Sequence, residues 1–589
     1  MNTRRRPSIL VSLLAPFLLL AGVSGCSSSS SNASAGDGGG SGSEGGSASG
    51  LDVMTDKGMV HGSSAKGVRA FLGIPFADTT GGVNRWKPPQ PAKAWTTTLD
   101  ATQPGPICPQ INPSSMSYDA NSDENCLSVN VWTPDPAPAK PLPVMVWIYG
   151  GAYVFGSGAA APYSGDHLVP GGNVVVVSMN YRVGPLGFMA HSALAAQDPS
   201  HSTGNYGLLD QQAAFKWVQT NIAAFGGDKT DVTLFGESAG ANSLCLHMLA
   251  PSSQGLFTKA IVESGLCLLP VGKLADAEAE GDRFATAMGC TGTGAAALTC
   301  LAGKSAKDIT SGPASPPAMQ PGGFFYQDPA TTLSFKPIED GTFLTGEPAA
   351  LFSTNKGAKV PVLQGTNTNE GILFHVPALG PYTPVMTSAD YLGALTRTFG
   401  AGPAATIAAY YSVSGGDAGA PAGDGGAAPG DAGAGAMTFA TYNDALTKVS
   451  SDAFFVCQAR RLEQWFAANG QPTYLYSFNG PLSAVPLMAL AGQAFHSSEL
   501  PYVFGDNYVL GSVPDAGAPL VGEMEGYWTR FATTGDPNGG SAPMWPPYAA
   551  ATDQNINLDT TTTVDAGLEK SNCDFWDHLV AANPSIAGL

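Results

Sequence analysis

The stretch Asp231-Val232-Thr233-Leu234-Phe235-Gly236-Glu237-Ser238-Ala239-Gly240 decides the fold. Its first five residues form a short apolar, β-branched run, the pattern of a buried strand. Ala239 through Leu249 favours helix. A strand that turns sharply at Gly236-Glu237-Ser238 and leaves as a helix lifts the serine Oγ clear of the sheet edge. It also aims the first helical N–H groups at whatever the serine attacks. The five-residue G-x-S-x-G pattern alone is weak evidence, since short motifs arise by chance. Its position between a strand and a helix gives it content and points to acyl transfer through Ser238.

Strand-like runs recur at Leu142–Ile148, Val174–Met179, Thr258–Glu263, Val360–Gln364 and Thr473–Phe478, with helical stretches between several of them. Residues 207–224 are the clearest helix, with Leu208, Phe215, Val218 and Ile222 at helical spacing. Buried strands alternating with helices predict an α/β fold, a large mostly parallel central sheet with helices on both faces.

The 589 residues, 43% hydrophobic and 12% charged, suffice for a large core. No repeat or linker interrupts residues 51–589, which read as one catalytic domain. Residues 414–436 are Gly/Ala/Asp/Pro low complexity without periodicity and read as a disordered insertion. Residues 1–25 read as a targeting segment: Arg4-Arg5-Arg6 form a basic head, and Ile9 through Leu20 an apolar stretch too short to span a bilayer. Val23-Ser24-Gly25-Cys26 resembles a bacterial lipobox, with Cys26 the lipidated residue. Residues 26–50 are a Ser/Gly-rich tether reaching about 27 Å. The expected location is outside the cell membrane, as a lipoprotein anchored at the cell envelope. Losing residues 1–25 removes three arginines and no acid, making the chain more acidic than its formal −19. That charge argues against nucleic acid as a partner.

Nine cysteines in an exported chain read as a disulfide framework. With Cys26 set aside, Cys108 and Cys126 would close a short loop, and Cys290 and Cys300 a shorter one. Cys457 and Cys573 would staple the C-terminus to the body. Cys245 and Cys267 remain, as buried thiols or as a fourth bridge.

A serine hydroxyl needs a histidine to take its proton and a carboxylate behind that histidine. Of eight histidines, His496 alone lies in a suggestive place, in Phe495-His496-Ser497-Ser498-Glu499 after the last strong strand. His247 is expected to pack. Glu370 follows the strand at Val360–Gln364, and loops at strand C-termini are where α/β sites form. Tyr149-Gly150-Gly151-Ala152 follows the strand at Leu142–Ile148 and lets backbone approach a substrate. The N–H groups of Gly151, Ala152 and Ala239 are the candidate oxyanion donors.

These residues together resemble the type-B carboxylesterase/cholinesterase family of α/β-hydrolases. The likeness extends through Ala70 to Ala77, Arg85 to Trp95, Glu124-Asn125-Cys126-Leu127, Asn180 to Phe188, Phe531 to Asn538 and Cys573 to Trp576. It implies a serine hydrolase of carboxylic esters with Ser238, Glu370 and His496 as the triad. It further implies the pairings Cys108–Cys126, Cys290–Cys300 and Cys457–Cys573, a link from Glu499 to buried Ser264, and Glu237 facing the gorge. No metal or organic cofactor is implied, and the expected partner is a small-molecule ester. The loop between Cys108 and Cys126 contains no tryptophan, which argues against a choline-ester specialist. Cleavage of amides, thioesters or carbamates by the same triad is the rival within the class, and a non-catalytic adhesion module the rival outside it.

Overall fold

Eleven strands form the central sheet of the protein, known from a computed structural model that describes residues 50–292, 294–312, 325, 333–376, 384–414, 436–505 and 510–588. The targeting segment, residues 26–49 of the tether with Cys26, and residues 415–435 of the insertion lie outside the described residues. In chain order the strands are β1 (Ser63–Ala65), β2 (Val68–Pro75), β3 (Ser128–Pro134), β4 (Leu142–Ile148) and β5 (Val175–Met179). They continue with β6 (Gly227–Glu237), β7 (Lys259–Glu263), β8 (Val362–Asn367), β9 (Thr473–Phe478), β10 (Gln554–Leu558) and β11 (Thr563–Ala566). Their order across the sheet is β11-β10-β9-β8-β7-β6-β4-β5-β3-β2-β1.

From β5 through β10 all neighbours run parallel; β11, β3, β2 and β1 add antiparallel edges. The parallel strands are apolar along their whole length because both faces are covered: Val144, Val146, Val175, Val177, Leu234 and Ile261 are all fully buried. This is the α/β-hydrolase fold, with helices on both sides of a large mixed sheet.

All six expected strands are present. β6 runs longer than its apolar run suggested, through Gly236 and Glu237 to the threshold of Ser238. The outer strands β1–β3, β10 and β11 were not anticipated. The helix expected over residues 207–224 is α1 (Tyr206–Asn221), with a 3₁₀ turn over Ile222–Phe225. The helix after the serine, α2, spans Ala239–Leu249 as expected.

The chain places β5 on one side of β4 and then crosses to lay β6 on the other. The loops after β4 and β6 therefore diverge from a shared crevice, the switch point where open α/β sheets bind ligands. Gly236 sits opposite Ile148 in this register, so both strands end at the same level and hand their loops to one place.

Four disulfides are formed: Cys108–Cys126, Cys245–Cys267, Cys290–Cys300 and Cys457–Cys573. Cys245 and Cys267, left open by the sequence, are thus a bridge, tying α2 to the segment after β7.

Candidate active site

Ser238 occupies the tip of the β6–α2 turn with φ 55° and ψ −122°, a conformation in which a non-glycine residue is strained. The two flanking glycines are steric requirements. A Cβ on Gly240 would lie 1.9 Å from the Ile148 carbonyl oxygen, and one on Gly236 would lie 2.8 Å from the same atom. The Ser238 N–H donates to the Glu263 carbonyl at 3.0 Å, which fixes the turn to β7.

His496 is buried, and its Nδ1 lies 2.6 Å from Glu370 Oε2. Glu370 is itself fully buried and held from behind. The Ser264 hydroxyl donates to its Oε1 at 2.5 Å, and the Asn367 N–H donates to the same oxygen at 2.8 Å. The opposite imidazole nitrogen, Nε2, lies 3.0 Å from Glu237 Oε1 without a hydrogen bond to any described residue. Glu237 also accepts the Ser497 hydroxyl at 2.5 Å. The imidazole is flanked by the rings of Phe374 and Phe455, each with its centroid 5.0 Å away. Phe455 is presented by a π-helical turn over Ser451–Val456, a local widening that often marks functional positions.

Gly150 ties these pieces together. An ideal Cβ there would lie 2.6 Å from Glu237 Oε2 and 3.0 Å from Ser238 Cβ. The loop after β4, the serine elbow and the Glu237–His496 pair thus converge on one point. Ser238 Oγ and His496 Nε2 are not hydrogen-bonded to each other. The N–H groups of Gly151, Ala152 and Ala239 are not taken up by any backbone hydrogen bond among the described residues.

The electrostatics centre on four buried carboxyls. Burial lowers the His496 basicity, but the Glu237 and Glu370 carboxylates outweigh it and raise its pKa to about 9. Burial pushes the Glu237 carboxyl up, while the His496 charge and the Ser497 hydroxyl draw it back. Glu263, which accepts from Trp528 Nε1 at 2.9 Å, is pushed far up by burial and then by Glu499. Glu499 is raised to about 8 by burial, then by Glu237 and Glu370.

The expected link from Glu499 to Ser264 takes a different form. Ser264 donates to Glu370, while Glu499 accepts from the Asn367 side-chain amide, whose backbone N–H holds Glu370. Asn367 is therefore the junction, because the end of β8 places its backbone and side chain between the two acids. Sequence reasoning passed over Asn367, Ser497, Glu263, Phe374 and Phe455. Ser497 carried a faint signal in its adjacency to His496, and the others none short of the fold. His247 packs as expected, between Ser253 and Gln211 at 2.8 and 3.0 Å, and burial lowers its pKa to about 3.

The family profile described as "Carboxylesterase family" matches residues 49–576. The chain belongs to the carboxylesterase family. A fumonisin B1 esterase from Sphingopyxis macrogoltabida is 35% identical over 84% of this chain and 84% of its own. A para-nitrobenzyl esterase from Bacillus subtilis is 33% identical over 87% of this chain and 96% of its own. A cholinesterase from Mus musculus is 33% identical over 86% and 83%. Among solved structures, a PNB esterase superposes with a TM-score of 0.73 at 31% identity, covering 89% of this carboxylesterase and 99% of the other chain. The enzyme is a carboxylic-ester hydrolase.

Proposed function

We propose that this carboxylesterase works through an acyl-enzyme formed on Ser238, with His496 as general base and acid and Glu370 as its orienting carboxylate. The observation that supports this reading is that Gly150 packs on both the strained Ser238 and Glu237, and Glu237 lies 3.0 Å from Nε2 of a histidine braced on Nδ1 by a buried acid. Ser238 Oγ attacks the ester carbonyl carbon while its proton passes to His496 Nε2. The carbonyl oxygen, now anionic, is received by the N–H groups of Gly151, Ala152 and Ala239. Collapse expels the alcohol, which takes the proton from His496. Water then attacks the acyl carbon by the same route in reverse and releases the acid. Glu370 orients the ring through Nδ1 and stabilises the imidazolium formed when the Ser238 proton reaches the neutral ring.

Ser238→Ala tests the assignment. The variant is expected to keep its melting temperature and lose p-nitrophenyl ester hydrolysis, because only the attacking oxygen is removed. Substantial turnover by a folded Ser238→Ala protein would move the nucleophile elsewhere. Running the wild type on p-nitrophenyl esters of graded acyl length would define the acyl preference.

We also propose export and lipid anchoring through Cys26. The support is the segment from Arg4 to Cys26, the tether behind it, and eight cysteines paired in four bridges, which suits an oxidising compartment. Mass spectrometry of the mature N-terminus decides: an unmodified Cys26, or cleavage at another residue, removes the anchor.

A further inference from the structure

The loop that carries the Gly151 and Ala152 donors is bent against its own preferences. Gly151, Ala152, Tyr153 and Gly156 have φ values of 107°, 53°, 64° and 128°, and two of these residues are not glycine. Such a conformation persists only where its surroundings over-determine it. Three restraints act on it. Gly150 is wedged against Ser238 and Glu237. The Tyr153 carbonyl accepts the Gly184 N–H at 2.6 Å, and its hydroxyl meets Ser243 of α2 at 3.4 Å. The third restraint is at Gly156, and it comes from outside the sheet.

Gln110 grips the Gly156 backbone on both sides. Its Oε1 accepts the Gly156 N–H at 2.7 Å, and its Nε2 donates to the Gly156 carbonyl at 2.9 Å and to the Cys108 carbonyl at 3.0 Å. The side chain is almost wholly buried, at 4% exposure. Gly156 admits no side chain of its own, since a Cβ would lie 2.2 Å from the Tyr149 ring. Its peptide is therefore pressed between Tyr149 and the Gln110 amide. Displacement there reaches the donors directly. The Val154 and Phe155 N–H groups both bond the Gly151 carbonyl, at 2.9 and 3.2 Å, and a Cβ on Gly151 would lie 2.2 Å from the Phe155 oxygen.

Gln110 is in turn well anchored. It stands two residues after Cys108 in the loop closed by Cys108–Cys126. The Asn180 amide donates to the carbonyls of Pro106 and Cys126 at 3.0 and 3.2 Å and receives the Gly158 N–H at 2.9 Å. Disulfide loop and oxyanion loop are thereby braced on one another.

We propose that Gln110 is a positioning residue for ester hydrolysis, holding the 150–156 loop so that the Gly151 and Ala152 N–H groups aim at the developing oxyanion. The proposal rests on the assignment of Ser238 and its donors made above. Gln110→Met keeps the length and removes every polar atom; Gln110→Glu keeps the acceptor for Gly156 N–H and loses both donated bonds. The full chain of each variant is compared with wild type in single-turnover acylation by p-nitrophenyl butyrate, in KM, and in affinity for an aryl trifluoromethyl ketone. With that ketone, Ser238 Oγ adds to the carbonyl carbon, its proton goes to His496, and the oxygen becomes the oxyanion.

Gln110→Met is expected to slow acylation by about 10–100-fold while KM stays within about threefold. Ketone affinity should fall by the same factor as acylation, and Gln110→Glu should lie between. If Gln110→Met does not fold, the Gln110→Glu measurements decide alone. Acylation within about twofold of wild type, or slowed acylation with undiminished ketone affinity, overturns the proposal. Ser238→Ala in parallel separates the two readings: its inactivity beside a full burst in Gln110→Met rejects the role of Gln110 alone, whereas activity in Ser238→Ala rejects the site.

Discussion

His496 turns its Nε2 toward Glu237, 3.0 Å away, while its Nδ1 is held by Glu370 at 2.6 Å. The imidazole thus lies between two buried carboxylates, one on each nitrogen. Only Glu237 stands on the side from which the proposed mechanism takes a proton. A protonated ring is favoured by this arrangement, and a protonated ring cannot act as a base.

The first prediction concerns pH. His496 accepts a proton only when neutral, and its pKa is raised to about 9, so kcat/KM should climb with pH and level off above about 9. Glu237→Gln keeps the shape and removes the nearer charge on Nε2, and the midpoint should fall toward the ordinary imidazole value. The linked stability has the opposite sense. A raised imidazole pKa stabilises the fold fully below the unfolded value of about 6.5 and ceases to do so as pH rises through about 9. An unchanged midpoint in Glu237→Gln, measured on one neutral aryl ester, would show that Glu237 does not set the basicity of His496.

The residues of the proposed site could be singled out in the sequence because they sit at strand ends. Ser238, Glu370 and Gly151 each follow an apolar run that announces a buried strand, and local pattern suffices to place them. His496 was singled out by its position after the last strong strand, and the fold sets it against Glu370. What escaped notice depends on long-range packing. Asn367 and Phe455 meet Glu370 and the imidazole only after β8 and the π-helical turn are brought together, and nothing in their immediate neighbours foretells it. The edge strand β1 escaped for a related reason, whereas β2 and β3, eight and seven residues long, carry apolar runs of their own that went unread. An edge strand such as Ser63–Ala65 is short and polar, and its pairing partner rather than its own composition makes it a strand.

A second prediction separates required glycines from incidental ones. Gly240→Ala would put a methyl group 1.9 Å from the Ile148 carbonyl oxygen and 2.8 Å from that of Tyr149. Both are backbone atoms of the β4 end and cannot swing aside, so the elbow must move and activity should be lost. Gly522 offers the contrast, being exposed within the helix Ala518–Thr534 with nothing near its added methyl. Gly522→Ala should leave activity intact and add up to about 1 kcal/mol of stability. Esterase assays with thermal melts on both variants check this, and an active Gly240→Ala enzyme would mean that the elbow is not as rigid as its contacts require.

The last prediction ranks two disulfides. Cys457–Cys573 closes 116 residues and Cys290–Cys300 only 10. In the chain-entropy view the longer loop restricts the unfolded chain more, by roughly 2 kcal/mol over such a range of lengths. The native side of the balance points the same way. Cys457 follows the π-helical turn directly, and the turn's Phe455 packs on His496. Cys573 belongs to the helix Lys570–Ala582, whose buried Trp576 donates from Nε1 to the Tyr411 hydroxyl at 2.8 Å. That hydroxyl in turn donates to Asp452 at 2.9 Å, inside the same turn. Freeing the bridge therefore loosens the support beneath the imidazole as well as the C-terminus. Replacing Cys457 and Cys573 together by alanine should lower the unfolding free energy by about 2–5 kcal/mol and make activity fail at a lower temperature than in wild type. The same replacement at Cys290 and Cys300 should cost less and leave the thermal profile of activity nearly unchanged. Denaturant titrations and residual-activity curves on the two double variants provide the comparison. Equal losses, or a larger loss at Cys290–Cys300, would show that neither loop length nor the packing behind His496 governs what these bridges contribute.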